Sequence, residues 1–131
     1  MVATSHDVMP DIELYQPTDE ANALALASTL GSDGWLLAGG QDTFGWLKDR
    51  NKTPGAMIEL TQIDAWKGIR ETADGVEIGA VTTLTEIAKN PIIQERYGVL
   101  AQAAGVVASP QIRNVGTCLL YTSDAADDPY G

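Results

Sequence analysis

Two adjacent glycines, Gly39 and Gly40, follow the apolar run Trp35-Leu36-Leu37-Ala38 and precede Gln41, Asp42 and Thr43. Glycine has no Cβ, so backbone N–H groups at such a pair can approach phosphate oxygens closely. Successive N–H groups in a turn form a concave nest, and the start of a following helix adds the positive end of its dipole. Gln41 and Thr43 carry side chains that can hydrogen-bond phosphate, whereas the acidic Asp42 is expected to point away and cap the next helix. The chemistry on offer is anion binding, with no side chain required as acid or base. Local pattern leaves two readings open, an anion-cradling loop and a tight turn without a ligand. A P-loop does not fit, because no Gly-Lys-Ser/Thr follows. A Rossmann fingerprint does not fit either, because its third glycine is missing.

The other chemistry-bearing residues give less. His6 is the single histidine and sits in a polar N-terminus without identifiable orienting neighbours, so a solvated residue is expected. Trp35, Trp46 and Trp66 are expected in core or interface packing rather than as a stacking surface. Arg113 is a candidate for a phosphate or partner contact, with a surface ion pair as the ordinary alternative. Lys48-Asp49-Arg50-Asn51-Lys52 reads as a solvated charge cluster in a loop. The one cysteine, Cys118, cannot form an internal disulfide or a multi-cysteine iron–sulfur or zinc site. No Ser/His/Asp set, paired acid/base carboxylates or metal-ligand cluster emerges.

The elements that must position the loop are short. Ile12-Glu13-Leu14-Tyr15 alternates as a strand and stops at Pro17. Asp19 to Leu30 has helical spacing of Ala21, Leu24, Ala25 and Ala27, with Thr18 as the expected cap and Gly31 as the stop. Trp35 to Ala38 is a strand running into the glycines, and Thr43 to Lys48 a short helix after them. Ala56 to Leu60 is a second apolar strand. Gly68 to Thr72 and Val76 to Ala80 both alternate around Ala73-Asp74-Gly75, a hairpin pattern. Thr83-Leu84-Thr85-Glu86 is a capping box opening a helix to Lys89, which Asn90-Pro91 ends. Ile92 to Ala108 reads as one helix with Leu100, Ala103, Ala104 and Val107 on its buried face, broken by Ser109-Pro110. The mixture is α+β, with short mixed sheets and flanking helices.

Bulk composition narrows the classes. At 131 residues and 44% apolar content the chain is sized for one globular domain. Its net charge of −10 opposes nucleic acid or an anionic membrane surface as partner. The segment after Thr117 adds three acids and no base; without it, 15 acids still face 8 bases. No apolar run reaches membrane-spanning length, so no membrane insertion is expected. No signal peptide is read at the N-terminus, so a cytoplasmic location is expected, although export with a partner's signal would look the same.

Three ordered motifs carry a resemblance. Leu36-Leu37-Ala38-Gly39-Gly40-Gln41-Asp42 resembles the first flavin motif of the FAD-binding medium subunits of molybdenum hydroxylases, the xanthine dehydrogenase, carbon monoxide dehydrogenase and aldehyde oxidoreductase group. Ile78 to Ile87 resembles the strand-to-helix segment of that family, and Ala108 to Thr117 the run into its second flavin loop. The resemblance spans roughly Pro10 to Thr117. It implies the N-terminal part of a vanillyl-alcohol-oxidase/PCMH-type FAD-binding domain, in which FAD lies between two glycine-containing loops. The first loop maps onto Leu36, Leu37, Ala38, Gly39, Gly40, Gln41, Asp42 and Thr43, and the second begins at Thr117. The implied role is electron transfer, from iron–sulfur clusters through FAD to an acceptor. The implied partners are an iron–sulfur subunit and a large molybdopterin subunit, and the latter would select the substrate.

The pattern breaks after Thr117. Where the family continues Ile-Gly-Gly-Asn, this sequence reads Cys118-Leu119-Leu120-Tyr121. Cys118 to Asp128 resembles the translation of a transposase-type sequencing adapter. The resulting expectation is a truncated FAD-binding domain over residues 1–117 and a non-native tail over 118–131, with an incomplete FAD site. Another flavoenzyme of the same fold, such as an enolpyruvyl-sugar reductase, stands as an alternative, and Ser109 to Gly116 speaks against it. An inactive fragment or non-enzymatic α+β module is the alternative from another class.

Overall fold

A computed structural model describes residues 9–40, 43–50 and 53–118. His6, Gln41, Asp42, Asn51, Lys52 and the segment 119–131 lie outside the described residues. Among the described residues there are two small sheets and six α-helices. The first sheet has three parallel strands, β1 (Glu13–Tyr15), β2 (Gly34–Leu37) and β3 (Ala56–Glu59), in the order β1-β3-β2. The register aligns Tyr15 and Leu36 with Ile58. Ala56, Met57 and Ile58 are all buried, as a central strand covered on both faces requires. Parallel strands need crossover connections, and helix α1 (Glu20–Leu30) provides the one from β1 to β2, which flank β3.

Ala23 of α1 packs with Ile58, Leu60, Ile63 and Val81, and Leu26, Ala27 and Leu30 lean on that cluster. A second cluster joins Leu37 and Met57 to Leu47 of helix α2 (Thr43–Lys48), with Ile12 and Trp35 against it. Trp66 packs on the first cluster and Trp35 on the second, so these two indoles stand in core packing, while the side chain of Trp46 lies outside the described residues. The cap of α1 is Asp19 rather than Thr18. Its carboxylate accepts the Asn22 amide at 2.8 Å, which satisfies an otherwise orphan donor of the first turn. Gly31 ends the helix in the left-handed region at φ 55°.

The charge cluster after α2 has a structural part. The Arg50 guanidinium donates to the carbonyls of Leu47 at 2.8 Å and Lys48 at 3.1 Å, closing the helix C-terminus.

The second sheet is the hairpin of β4 (Ile69–Thr72) and β5 (Gly75–Ile78), antiparallel, with Thr72 opposite Gly75. The turn is therefore Ala73-Asp74, and Gly75 already belongs to a strand. Parallel and antiparallel pairing thus occupy separate sheets, not one mixed sheet. Ile69, Val76 and Ile78 pack against Ile87, Ile93 and Ala104 from the helical layer.

That layer holds α3 (Leu84–Lys89), α4 (Pro91–Arg96), α5 (Gly98–Gly105) and α6 (Pro110–Val115). Asn90 ends α3 and starts α4, accepting the Ile92 and Ile93 amides at 2.9 and 3.2 Å. The single helix expected over 92–108 is two helices. Tyr97 leaves helical geometry at φ −134°, ψ 51°, tucking its ring against the Ile87–Ile93 cluster, and Gly98 is a weak helix former. The break also rotates the buried face. Ala101 and Ala104 point inward, while Leu100 and Ala103 are exposed. Ser109-Pro110 restarts a helix, with the Ser109 hydroxyl accepting the Ile112 amide at 3.3 Å.

One buried threonine joins the layers. The Thr82 hydroxyl is fully buried; it accepts the Gly68 amide at 3.0 Å and donates to the Gly68 carbonyl at 3.1 Å. Thr82→Val keeps the shape and strands the Gly68 amide, so a loss of about 1–3 kcal/mol is expected in urea unfolding. An unchanged midpoint would contradict the assigned bonds.

Candidate functional site

The β2 strand fixes the start of the glycine loop. The Leu60 amide donates to the Leu37 carbonyl at 2.9 Å, so the chain leaves the sheet at a defined point. The Leu37 side chain belongs to the core, and Leu36 is 38% exposed. Ala38 and Gly39 then turn into a cleft of about 650 Å³. Gly40 is buried, with φ 71°; a Cβ there would lie 3.0 Å from the Phe44 ring and 3.2 Å from Leu37 Cδ1. Glycine at this position is thus a conformational requirement of the turn. Thr43 opens α2 directly after the loop, as expected.

The facing wall comes from the two later motifs, which are laced together. Thr83 and Thr117 form an antiparallel bridge. The Leu84 amide donates to the Gly116 carbonyl at 2.9 Å, and the Cys118 amide to the Thr82 carbonyl at 2.8 Å. The Thr85 hydroxyl donates to Asn114 Oδ1 at 2.6 Å. Val81, Thr83 and Glu86 of the first motif and Asn114, Val115 and Thr117 of the second all line the cleft that Ala38 and Gly39 enter. Three segments spread over the sequence therefore meet at one cavity. Thr117 is buried there, at 1% exposure.

Phe44, Glu59, Thr61 and Lys67 also line the cleft and were not singled out as site residues from the sequence. They share position at or beside element ends: Phe44 in the first turn of α2, Glu59 and Thr61 at and just past the end of β3, and Lys67 just after the 3-10 turn Asp64–Trp66. Charge in the cleft is managed locally. Glu59 accepts from the Thr61 amide at 2.8 Å and from the Thr61 hydroxyl, and Glu86 accepts the Thr83 amide at 2.9 Å. Lys67 pairs with Asp64 at 3.2 Å. The capping box is complete, since the Glu86 amide donates to the Thr83 hydroxyl at 3.2 Å. Thr83→Ala should cost about 1 kcal/mol of stability, read as a small drop in thermal midpoint with the fold retained.

Arg113 makes no ion pair among the described residues; its guanidinium donates to the Val107 carbonyl at 2.8 Å. Cys118 is a free thiol, and burial pushes its pKa above the ordinary value. Among the described residues no group of three His, Cys, Asp or Glu could hold a metal ion, and no helix is long and apolar enough to cross a membrane.

The arrangement suits a diphosphate-bearing dinucleotide. Backbone without a Cβ barrier and the hydroxyl of Thr83 offer hydrogen-bonding groups, while Phe44, Val81 and Val115 offer apolar wall. The carboxylates in the cleft are turned to their own donors. Its volume lies within the roughly 300–1,000 Å³ of small-molecule pockets.

Residues 10–118 match the family model described as the FAD binding domain in molybdopterin dehydrogenase. The chain belongs to this family. It is 40% identical over 110 residues to the carbon monoxide dehydrogenase medium chain of Hydrogenophaga pseudoflava, covering 84% of this chain and 38% of that one. It is 35% identical over 124 residues to the nicotinate dehydrogenase FAD-subunit of Eubacterium barkeri, covering 92% and 42%. The solved carbon monoxide dehydrogenase of Hydrogenophaga pseudoflava superposes with a TM-score of 0.81 at 40% identity, over 84% of this chain and 38% of that chain. The reconstituted enzyme of Oligotropha carboxidovorans gives 0.81 at 32% identity, with the same coverage. The chain thus spans about two fifths of the length of the family members it matches. Over the matched residues the fold is that of this FAD-binding domain, here a small parallel sheet beside a hairpin and helices.

Proposed function

We propose that this chain is the N-terminal part of an FAD-binding, electron-transferring subunit of a molybdenum hydroxylase. The observation that carries the reading is the meeting of Ala38-Gly39, Thr83 and Asn114–Thr117 at one cleft. FAD, when bound, supplies the redox chemistry through its isoalloxazine ring. The chain's own residues bind and orient. The turn at Ala38 to Gly40 offers backbone close to a diphosphate, with Gln41, Asp42 and Thr43 completing the loop in the proposal. Thr83 presents its hydroxyl from the opposite wall, buried Thr117 holds that wall in place, and Phe44, Val81 and Val115 give it apolar surface. Leu36 and Leu37 act through the backbone they hold in place, since the Leu37 side chain is committed to the core.

By the same reading the whole subunit works with an iron–sulfur subunit and a large molybdopterin subunit, as an oxidoreductase component in the cytoplasm. The relatives' names support this, being a medium chain and an FAD-subunit of dehydrogenases. The boundary after Thr117, with residues 118–131 as a non-native tail, is part of the proposal. It is supported by Cys118-Leu119-Leu120-Tyr121 standing where the family reads Ile-Gly-Gly-Asn.

The test is FAD titration, read by flavin fluorescence, of this chain and of a longer chain with Ile-Gly-Gly-Asn and the rest of the subunit restored. One loop alone offsets little of the cost of ordering the ligand, so weak binding is expected for the former and tight, stoichiometric binding for the latter. A restored chain that purifies colourless and takes up no FAD would overturn the reading.

A further inference from the structure

A second cavity, of about 330 Å³, opens between α3, α5 and α6 and is lined by Thr85, Lys89, Arg113 and Asn114 over a base that includes Ala88 and Pro110. Two cations face it and no carboxylate lines it, in a chain of net charge −10. Among the described residues neither Lys89 nor Arg113 pairs with an acid. The other partners in the cavity are arranged as donors. Asn114 Oδ1 is taken by the Thr85 hydroxyl at 2.6 Å, which leaves the amide nitrogen of Asn114 as its donor end. Arg113 is half-buried, and its bond to the Val107 carbonyl at 2.8 Å holds the guanidinium in place. The same bond pins a strained turn, because Ala108 sits in the left-handed region at φ 44°. Strain of this kind in a non-glycine residue costs on the order of 1–3 kcal/mol and clusters at ligand clamps.

We infer that this cavity binds a phosphate-class oxyanion, separately from the flavin cleft. A guanidinium from α6, an ammonium at the end of α3, and an amide nitrogen offer donors from several directions. That set suits a tetrahedral anion with oxygens pointing several ways better than a planar carboxylate. Arg113 supplies the fixed fork and Lys89 the mobile point charge. Asn114 lines both this cavity and the flavin cleft, so the two are neighbours through one side chain. The phosphate can come as the free anion or as part of a nucleotide.

The experiment is an amide chemical-shift titration of this chain with inorganic phosphate at constant ionic strength, with ADP as a second arm. Saturable shifts are expected at Thr85, Lys89, Arg113 and Asn114. Lys89→Gln should weaken the phosphate response about tenfold, the loss of one charge-assisted contact. Arg113→Lys should do likewise while keeping the charge, because the fork is lost. If ADP shifts the same amides at least as tightly as phosphate, the source is a nucleotide; if phosphate alone shifts them, it is the free anion. Shifts that grow without saturating, or that saturate equally in Lys89→Gln, would overturn the site. None of these outcomes depends on FAD uptake.

Discussion

Gly79→Ala is expected to lower the thermal midpoint by on the order of 10 °C, a loss of about 3 kcal/mol. A Cβ at Gly79 would lie 2.6 Å from the Trp66 carbonyl carbon and closer still to its oxygen, and 2.9 Å from the Lys67 carbonyl carbon. These are backbone atoms, so no side-chain rotation relieves the clash. The segment cannot move away cheaply either. The Gly79 amide donates to the Gly68 carbonyl at 2.9 Å, the Val81 amide to the Trp66 carbonyl at 3.0 Å, and Thr82 adds its two bonds to Gly68. This stitching brings Lys67 and Val81–Thr83 side by side at the cleft. The variant should therefore lose flavin affinity as well as stability. Thermal melts by circular dichroism give the first reading, and a midpoint within a degree or two of the parent would refute the close backbone packing.

Gly40→Ala is expected to act more locally and to be felt more strongly in binding. An alanine at φ 71° costs roughly 1–2 kcal/mol in backbone energy, and its methyl group presses on Leu37 and Phe44. The least costly relief is to move the loop, since the strand before it is anchored through Leu37. In a chain with the second loop restored, FAD affinity should fall by about tenfold or more, because each 1.4 kcal/mol is a factor of ten. The global fold should persist. A variant that binds FAD like the parent would show that the turn at Gly40 does not shape the site.

The parts of this fold legible in the sequence are those decided within a few residues. The strand, glycine pair and short helix at 35–48, the capping box at Thr83–Glu86 and the hairpin around Ala73-Asp74 all rest on local hydrogen-bonding chemistry. What was missed depends on tertiary contact. The placement of β3 between β1 and β2 follows from burial on both faces. The break at Tyr97 follows from where its ring finds a core, which outweighs helical periodicity. The preference for Asp19 over Thr18 is a competition of neighbours one residue apart, both acceptable caps. The flavin role proposed for the loop rests on resemblance to a family, because a glycine pair after a strand does not separate a cradle from a turn. Glu59, Thr61 and Lys67 became visible only when the ends of the elements converged.

The most direct test of the central claim is amide mapping of FAD on this chain with isotopic labelling, which reports location even when binding is weak. The prediction is a set of FAD-dependent shifts at Ala38, Gly39, Thr83 and Asn114 to Thr117, the two walls of one cleft, with little change around Tyr15 and Thr29, which line a separate cavity. Shifts absent from those residues at saturating FAD, or concentrated around Tyr15 and Thr29, would contradict it.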